Sequence, residues 1–110
     1  MSTNCRIFEL EALEREQRGT GEPWFEYLRV PSLRSGLYLL EPGAWDHQTP
    51  HEEDEMYFVV RGRARFEAGA FQVPVKAGSV IFVPARQEHR FTSIEESLQV
   101  LVFFASAPRQ

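Results

Sequence analysis

From Trp24 onward the apolar residues fall into short runs, each closed by a turn signal. Trp24 to Val30 stops at Pro31, and Gly36 to Leu40 stops at Pro42-Gly43. Met56 to Val60 ends at Gly62, Arg63 to Glu67 at Ala68-Gly69, and Phe71 to Val75 at Ala77-Gly78. Val80 to Val83 ends at Pro84, His89 to Ser93 leads into an acidic turn at Glu95-Glu96, and Leu98 to Ala105 closes the set. Short strands at regular spacing predict an all-β sandwich or barrel, and the pattern does not choose between the two. Before Pro23 the pattern differs. Phe8, Leu10 and Leu13 sit among Glu9, Glu11, Glu14, Arg15 and Glu16, which predicts one or two helical turns ended by Gly19-Thr20-Gly21. Residues 1–19 are therefore expected to be an N-terminal extension to a single domain whose barrel covers about 20–105 of the 110 residues.

Composition narrows the class. Apolar residues make up 43%, enough for one core, and nine Phe, three Tyr and two Trp favour strands. The net charge of −4, with arginines interspersed among acids, argues against nucleic acid as a partner. Cys5 is the single cysteine, so no intrachain disulfide is possible. No basic start followed by an apolar run marks a signal peptide, and the apolar run from Val100 to Ala105 is too short for a bilayer. The expectation is a cytoplasmic protein with no membrane partner.

The candidate chemistry lies in spacing. Three residues separate His51 from Glu55, and six separate Glu55 from Gly62. Five separate Gly78 from Pro84, and four separate Pro84 from His89. Two imidazoles and a carboxylate are thus offered from separate strand-like segments, a donor set that suits borderline divalent metals. The affinity order does not choose among Fe²⁺, Mn²⁺, Ni²⁺, Zn²⁺ and Co²⁺.

These residues resemble the two motifs of the cupin superfamily. Gly43-AWDHQ-Thr49-Pro50-His51-EED-Glu55-MYFVVR-Gly62 fits the first, with Thr49 at the first histidine position. Gly78-SVIFV-Pro84-Ala85-Arg86-QE-His89-RFT-Ser93 fits the second, with Arg86 for Gly and Ser93 for Asn. The resemblance implies a double-stranded β-helix, or jelly-roll, barrel with the motif histidines pointing inward. It implies His51, Glu55 and His89 as metal ligands, with the fourth position open. His47 shares strand parity with Thr49 and His51 and is one replacement. Gln48 is another, if Pro50 makes the strand bulge.

Two functions follow. One is a metal-dependent enzyme, a dioxygenase or an isomerase-like protein acting on a small organic molecule, in which Glu55 also shuttles a proton. The other is a barrel that binds or senses a small ligand without chemistry. Parity with the motif residues makes Tyr57 and Phe91 candidate pocket walls, and neighbouring strands offer Phe82 and Phe103 as further ones. The acidic run Glu52-Glu53-Asp54 and the arginines, Arg34 among them, read as solvated surface. One inward arginine would point to a carboxylate ligand. The aromatic segment Trp24 to Val30 is expected to pair with or pack on a second copy in a homodimer.

Overall fold

The computed structural model describes residues 4–106. One helix, α1 (Leu10–Thr20), precedes six strands: β1 (Trp24–Val30), β2 (Leu33–Leu40), β3 (Asp54–Ala68), β4 (Phe71–Lys76), β5 (Val80–Val83) and β6 (Arg90–Ala105). All pairings are antiparallel, in the order β1-β2-β6-β3-β4, with β5 on β3 beside the other half of that strand. The fold is the expected all-β jelly roll. No helix among the described residues is long and apolar enough to cross a membrane.

Helix α1 runs for three turns, longer than the one or two turns expected. It ends where Gly21 adopts φ 72° and donates its N–H to the carbonyls of Gln17 and Arg18. Glycine takes that left-handed conformation at little cost. Leu13 and Gln17 are buried against the sheet, and Gln17 Nε2 donates to the carbonyls of Pro23 and Leu37. Glu14 pairs with Arg61 of β3 and accepts from Gln99 of β6, so a polar latch fixes the helix to two strands. Arg61 holds the Glu14 carboxyl below its usual range, against the opposing effect of burial.

Two expected breaks are absent. Gly62 does not end a strand, and Glu95-Glu96 is not a turn: β3 and β6 run through both points as one long pair. Gly62 instead sits among register shifts between Val59 and Arg65 and takes φ 100°. A Cβ there would lie 2.3 Å from the Ser97 carbonyl oxygen. The glycine lets the two backbones close on each other at a bulge, which bends the pair without interrupting it. Glu96 faces Arg63 in register and pairs with it, so the acidic residues form a cross-strand ion pair.

The core lies inside this bent sheet. Tyr57, Val59, Phe66, Phe91, Leu98, Val100, Val102 and Phe104 are all buried in one cluster. Tyr57, Phe66 and Phe91 pack edge to face with centroids 5.1 to 6.2 Å apart.

Gly62→Ala is expected to cost about 2–3 kcal/mol and lower the melting temperature by about 10 °C or more, because left-handed strain and a backbone clash act together. Gly43 also has positive φ but open space around its α-carbon, so Gly43→Ala is expected to cost only about 1 kcal/mol. Thermal denaturation of both variants checks this, and equal small losses would contradict the close approach.

Candidate functional site: a buried histidine–carboxylate pair

Glu55 is the second residue of β3, facing Val83 of β5 on one side and Phe104 of β6 on the other. Its side chain is 1% exposed. A carboxylate at that depth needs a counter-charge or a set of donors. His89, in the turn just before β6, provides one: its Nε2 lies 2.9 Å from Glu55 Oε1, and its side chain is also 1% exposed. His89 Nδ1 donates to the Gln87 carbonyl at 2.7 Å, and the Tyr57 hydroxyl lies 2.9 Å from Nε2. Burial works against the charged imidazole. The bonds to Glu55 and to the Gln87 carbonyl, with the negative charges of Glu55 and Asp46, outweigh it, and the His89 pKa is raised. Each His89 ring nitrogen faces an oxygen atom, an arrangement that favours the protonated ring. Tyr57 stays a neutral phenol, because burial and then the Glu55 charge push its pKa well up.

The network continues through Gln48, expected above as an alternative ligand, to Asp46, which the sequence reading did not single out. The Tyr57 hydroxyl donates to Gln48 Oε1 at 2.9 Å, and Gln48 Nε2 donates to Asp46 Oδ2 at 2.8 Å. Buried Asp46 also accepts from the Tyr38 hydroxyl at 2.5 Å and from the Phe91 backbone N–H at 2.8 Å. Asp46 thereby ties the loop after Gly43 to two strands. The visible signal for it was an acid directly after an apolar Ala-Trp pair in the first motif. Glu55 Oε2 is buried and has no hydrogen-bond partner.

Glu55 and Tyr57 reach a cavity of about 250 Å³ whose other walls include Trp24, Tyr38, Val102 and Phe104, with His47, Gln48, Thr49 and His51 along its loop side. Arg34 also lines it, stacked 3.9 Å over the Phe104 ring. This arginine turns inward, but its charge is engaged. It makes a fork to Glu53 at 2.7 to 3.1 Å and a further bond to Glu26 at 3.2 Å. An inward arginine paired with two carboxylates does not mark a site for a third.

The expected pocket walls divide by strand parity. Tyr57 lines the cavity and Phe91 lies in the core beside it. Phe82 is 61% exposed and Phe103 37% exposed, and both point out of the barrel. Phe82 and Phe103 stand opposite Met56, on the outer face of β3, so Val102 and Phe104 take the inward places. The segment from Ala44 to Thr49 is a loop, not a strand, so parity does not govern His47. His47 is exposed at the cavity rim, beside the Trp45 ring at 5.9 Å. Gln48 is used by Tyr57 and Asp46.

The expected metal ligands do not converge. Among the described residues no group of three His, Cys, Asp or Glu side chains is placed to hold a metal ion. The His51 and His89 ring centroids are 6.3 Å apart, with His51 packed edge-on to Phe104 at 4.8 Å. Two imidazoles on one metal with bonds of about 2.1 Å, at cis or tetrahedral angles, hold their centroids about 4.6 to 5.3 Å apart. His89 Nε2, moreover, is directed at Glu55 and Tyr57. In this arrangement His89 is engaged by Glu55 and Tyr57, His51 packs on Phe104, and His47 stands at the rim.

Residues 36–104 match the family described as Cupin domain, more than half of the chain. The chain belongs to this family. It is 42% identical over 100 residues to a Streptomyces coelicolor protein named uncharacterized protein SCO3923, an alignment covering 91% of this chain and 95% of that one. Among solved structures it is similar to TT1209 from Thermus thermophilus, with a TM-score of 0.71 and 22% identity over 93% of this chain and 98% of that one. It is also similar to the DMSP lyase DddQ from Ruegeria pomeroyi, with a TM-score of 0.69 and 17% identity over 84% of this chain and 51% of that one. Identities this low in the two structures speak for the shared fold only.

The raised His89 pKa gives a signed expectation. A histidine raised on folding contributes stability that is fully present below the unfolded value of 6.5 and lost as pH rises through the folded value. The wild-type melting temperature is therefore expected to fall as pH rises above 6.5 and through the folded value. In His89→Gln that part of the decline should be absent. Parallel profiles of the two proteins across the alkaline side would contradict an ion-paired His89.

Proposed function

We propose that this cupin binds a small organic molecule directly on its side chains in the cavity beside Glu55, without a metal as the anchor. The observation that carries this reading is the hydrogen-bond chain Asp46–Gln48–Tyr57–His89–Glu55, which leaves one buried acceptor, Glu55 Oε2, without a partner. A buried acceptor left over in an otherwise satisfied network calls for a donor from outside the chain. The walls Trp24, Val102 and Phe104 suit an apolar body, and about 250 Å³ limits its size. The expected ligand therefore has one N–H or O–H donor, directed at Glu55, on a compact aliphatic or aromatic frame. The fold does not decide between binding and catalysis, since one barrel hosts many activities.

One observation favours a second reading, the metal-dependent enzyme. A metal-bound histidine characteristically donates its other ring nitrogen to a carbonyl, as His89 Nδ1 does to Gln87. Glu55 Oε2 would equally accept a cation. In that reading Glu55, His89 and a displaced His51 hold Fe, Mn, Ni, Zn or Co, which would supply Lewis-acid or oxygen chemistry.

Two measurements separate the readings. Protein purified without chelator or nickel affinity is expected to carry far less than one metal per chain. Its melting temperature should not move with added Fe²⁺, Mn²⁺, Ni²⁺, Zn²⁺ or Co²⁺. A stoichiometric metal that disappears in His51→Ala and His89→Ala would replace the first reading with the second. For the ligand itself, a panel of small amines and alcohols followed by NMR should yield binders with Kd of about 1 mM or tighter, weakened about tenfold or more by Glu55→Gln. Binders indifferent to Glu55→Gln would remove Glu55 as the anchor.

A further inference from the structure

Aromatic rings form a corner around the Glu55 carboxylate. Glu55 of β3 stands opposite Phe104 of β6, and both line the cavity as cross-strand neighbours. The Trp24 ring lies 6.0 Å from Phe104 and 6.4 Å from Tyr38, centroid to centroid, at 75° and 68° to them. All three rings line the cavity together with Tyr57. Gly36 of β2 makes room for the largest of them: a Cβ there would lie 2.5 Å from the Trp24 ring. Charge around these rings is uneven. Glu55 and Asp46 are two buried carboxylates facing one His89 ring, and Glu26 and Glu53 are two carboxylates bonded to one Arg34. Each group keeps an excess of negative charge even with His89 protonated. Both phenols respond to that field: the Tyr38 pKa is pushed up first by burial and then by Asp46, and that of Tyr57 first by burial and then by Glu55.

We propose that the ligand of this cavity is a small organic ammonium ion, with an N–H on Glu55 Oε2 and its charge against the rings of Trp24, Tyr38 and Phe104. The inference rests on the reading that Glu55 anchors the ligand, and it narrows that ligand from any N–H or O–H donor to a cation. A cation is attracted to an aromatic face within about 6 Å of the ring centroid, most strongly by tryptophan and more so out of water. With centroids 6.0 and 6.4 Å apart, a nitrogen between Trp24 and either neighbour lies within that reach of both rings. A neutral alcohol would satisfy Glu55 Oε2 but leave the negative excess unmatched. A carboxylate would meet that excess with like charge. Arg34 is the opposing feature, with its guanidinium 3.9 Å over Phe104. Its bonds to Glu53 and Glu26 neutralise it. It takes one face of Phe104, which makes Trp24 the principal ring for the ligand.

Three molecules of similar size separate the charges: isobutylammonium, isobutanol and isobutyrate, each titrated into the protein at neutral pH and followed by NMR. Isobutylammonium is expected to bind with a Kd of about 1 mM or tighter and at least about tenfold tighter than isobutanol, with isobutyrate the weakest of the three. Trp24→Phe keeps a ring and Trp24→Leu removes it, so the preference for the ammonium should fall in that order, to about threefold or less in Trp24→Leu. Equal affinities for isobutylammonium and isobutanol, both weakened by Glu55→Gln, would overturn the ammonium assignment and leave the Glu55 anchor standing. A preference unchanged in both Trp24 variants would overturn it as well. Binding indifferent to Glu55→Gln, or no binding by any of the three, would remove the anchor and the assignment together. If Trp24→Leu fails to fold, the wild-type comparison and Trp24→Phe decide.

Discussion

A carboxylate sunk into the barrel, Glu55, has to be matched, and the rest of the site follows from how that is done. Transfer of an unpaired carboxylate into a medium of low polarity is prohibitive, so the group must be neutralised, paired or bound to a cation. Here it is paired. His89 is held against it by the Gln87 carbonyl and by Tyr57, and the charges around the imidazole overcome the effect of its own burial. Tyr57 is then committed as well, and it draws in Gln48 and Asp46. Asp46 in turn fixes the loop after Gly43 against Tyr38 and β6. A loop that would otherwise be free to vary becomes one wall of the cavity.

The same chain of bonds explains why the metal set expected from spacing is not assembled. With Thr49 where the family motif has its first histidine, the loop's other imidazole, His47, stands exposed at the cavity rim beside Trp45. His51 packs on Phe104, and the two remaining partners satisfy each other. A buried pair of this kind is weak evidence for stability in itself. Its consequence is positional: it leaves one oxygen of Glu55 without a partner, directed by a rigid network.

The fold was legible because apolar runs and turn residues report strands directly. The limits of β1, β4 and β5 agree with the pattern to within about a residue. Sequence and structure part at the points where a turn residue serves another purpose. Gly62 reads as a stop and acts as a bulge, because a positive φ and a close carbonyl both demand glycine. Glu95-Glu96 reads as a solvated turn, although Arg63 stands opposite to pair with it. Within the site, spacing identified Glu55 and His89 but not Asp46, Gln48 or Tyr38 as members of one network. Their importance depends on contacts between segments far apart in the chain, which no local pattern encodes. Phe82 and Phe103, expected as walls from neighbouring strands, lie on the outer face for a related reason. Register between strands, and not the residue type, decides which aromatics line a cavity and which cover the outside.

The account built on Glu55 takes His89 as its doubly protonated partner, with an oxygen atom facing each ring nitrogen. Long-range ¹H–¹⁵N correlation of the histidine rings reports this directly. At pH 6.5, the reference imidazole value, both His89 nitrogens are expected to show the shifts of an imidazolium, unchanged by a stoichiometric addition of Zn²⁺. A neutral ring with a bare Nε2, moving to a metal-bound shift as Zn²⁺ is added, would contradict the ion pair and the metal-free site built on it.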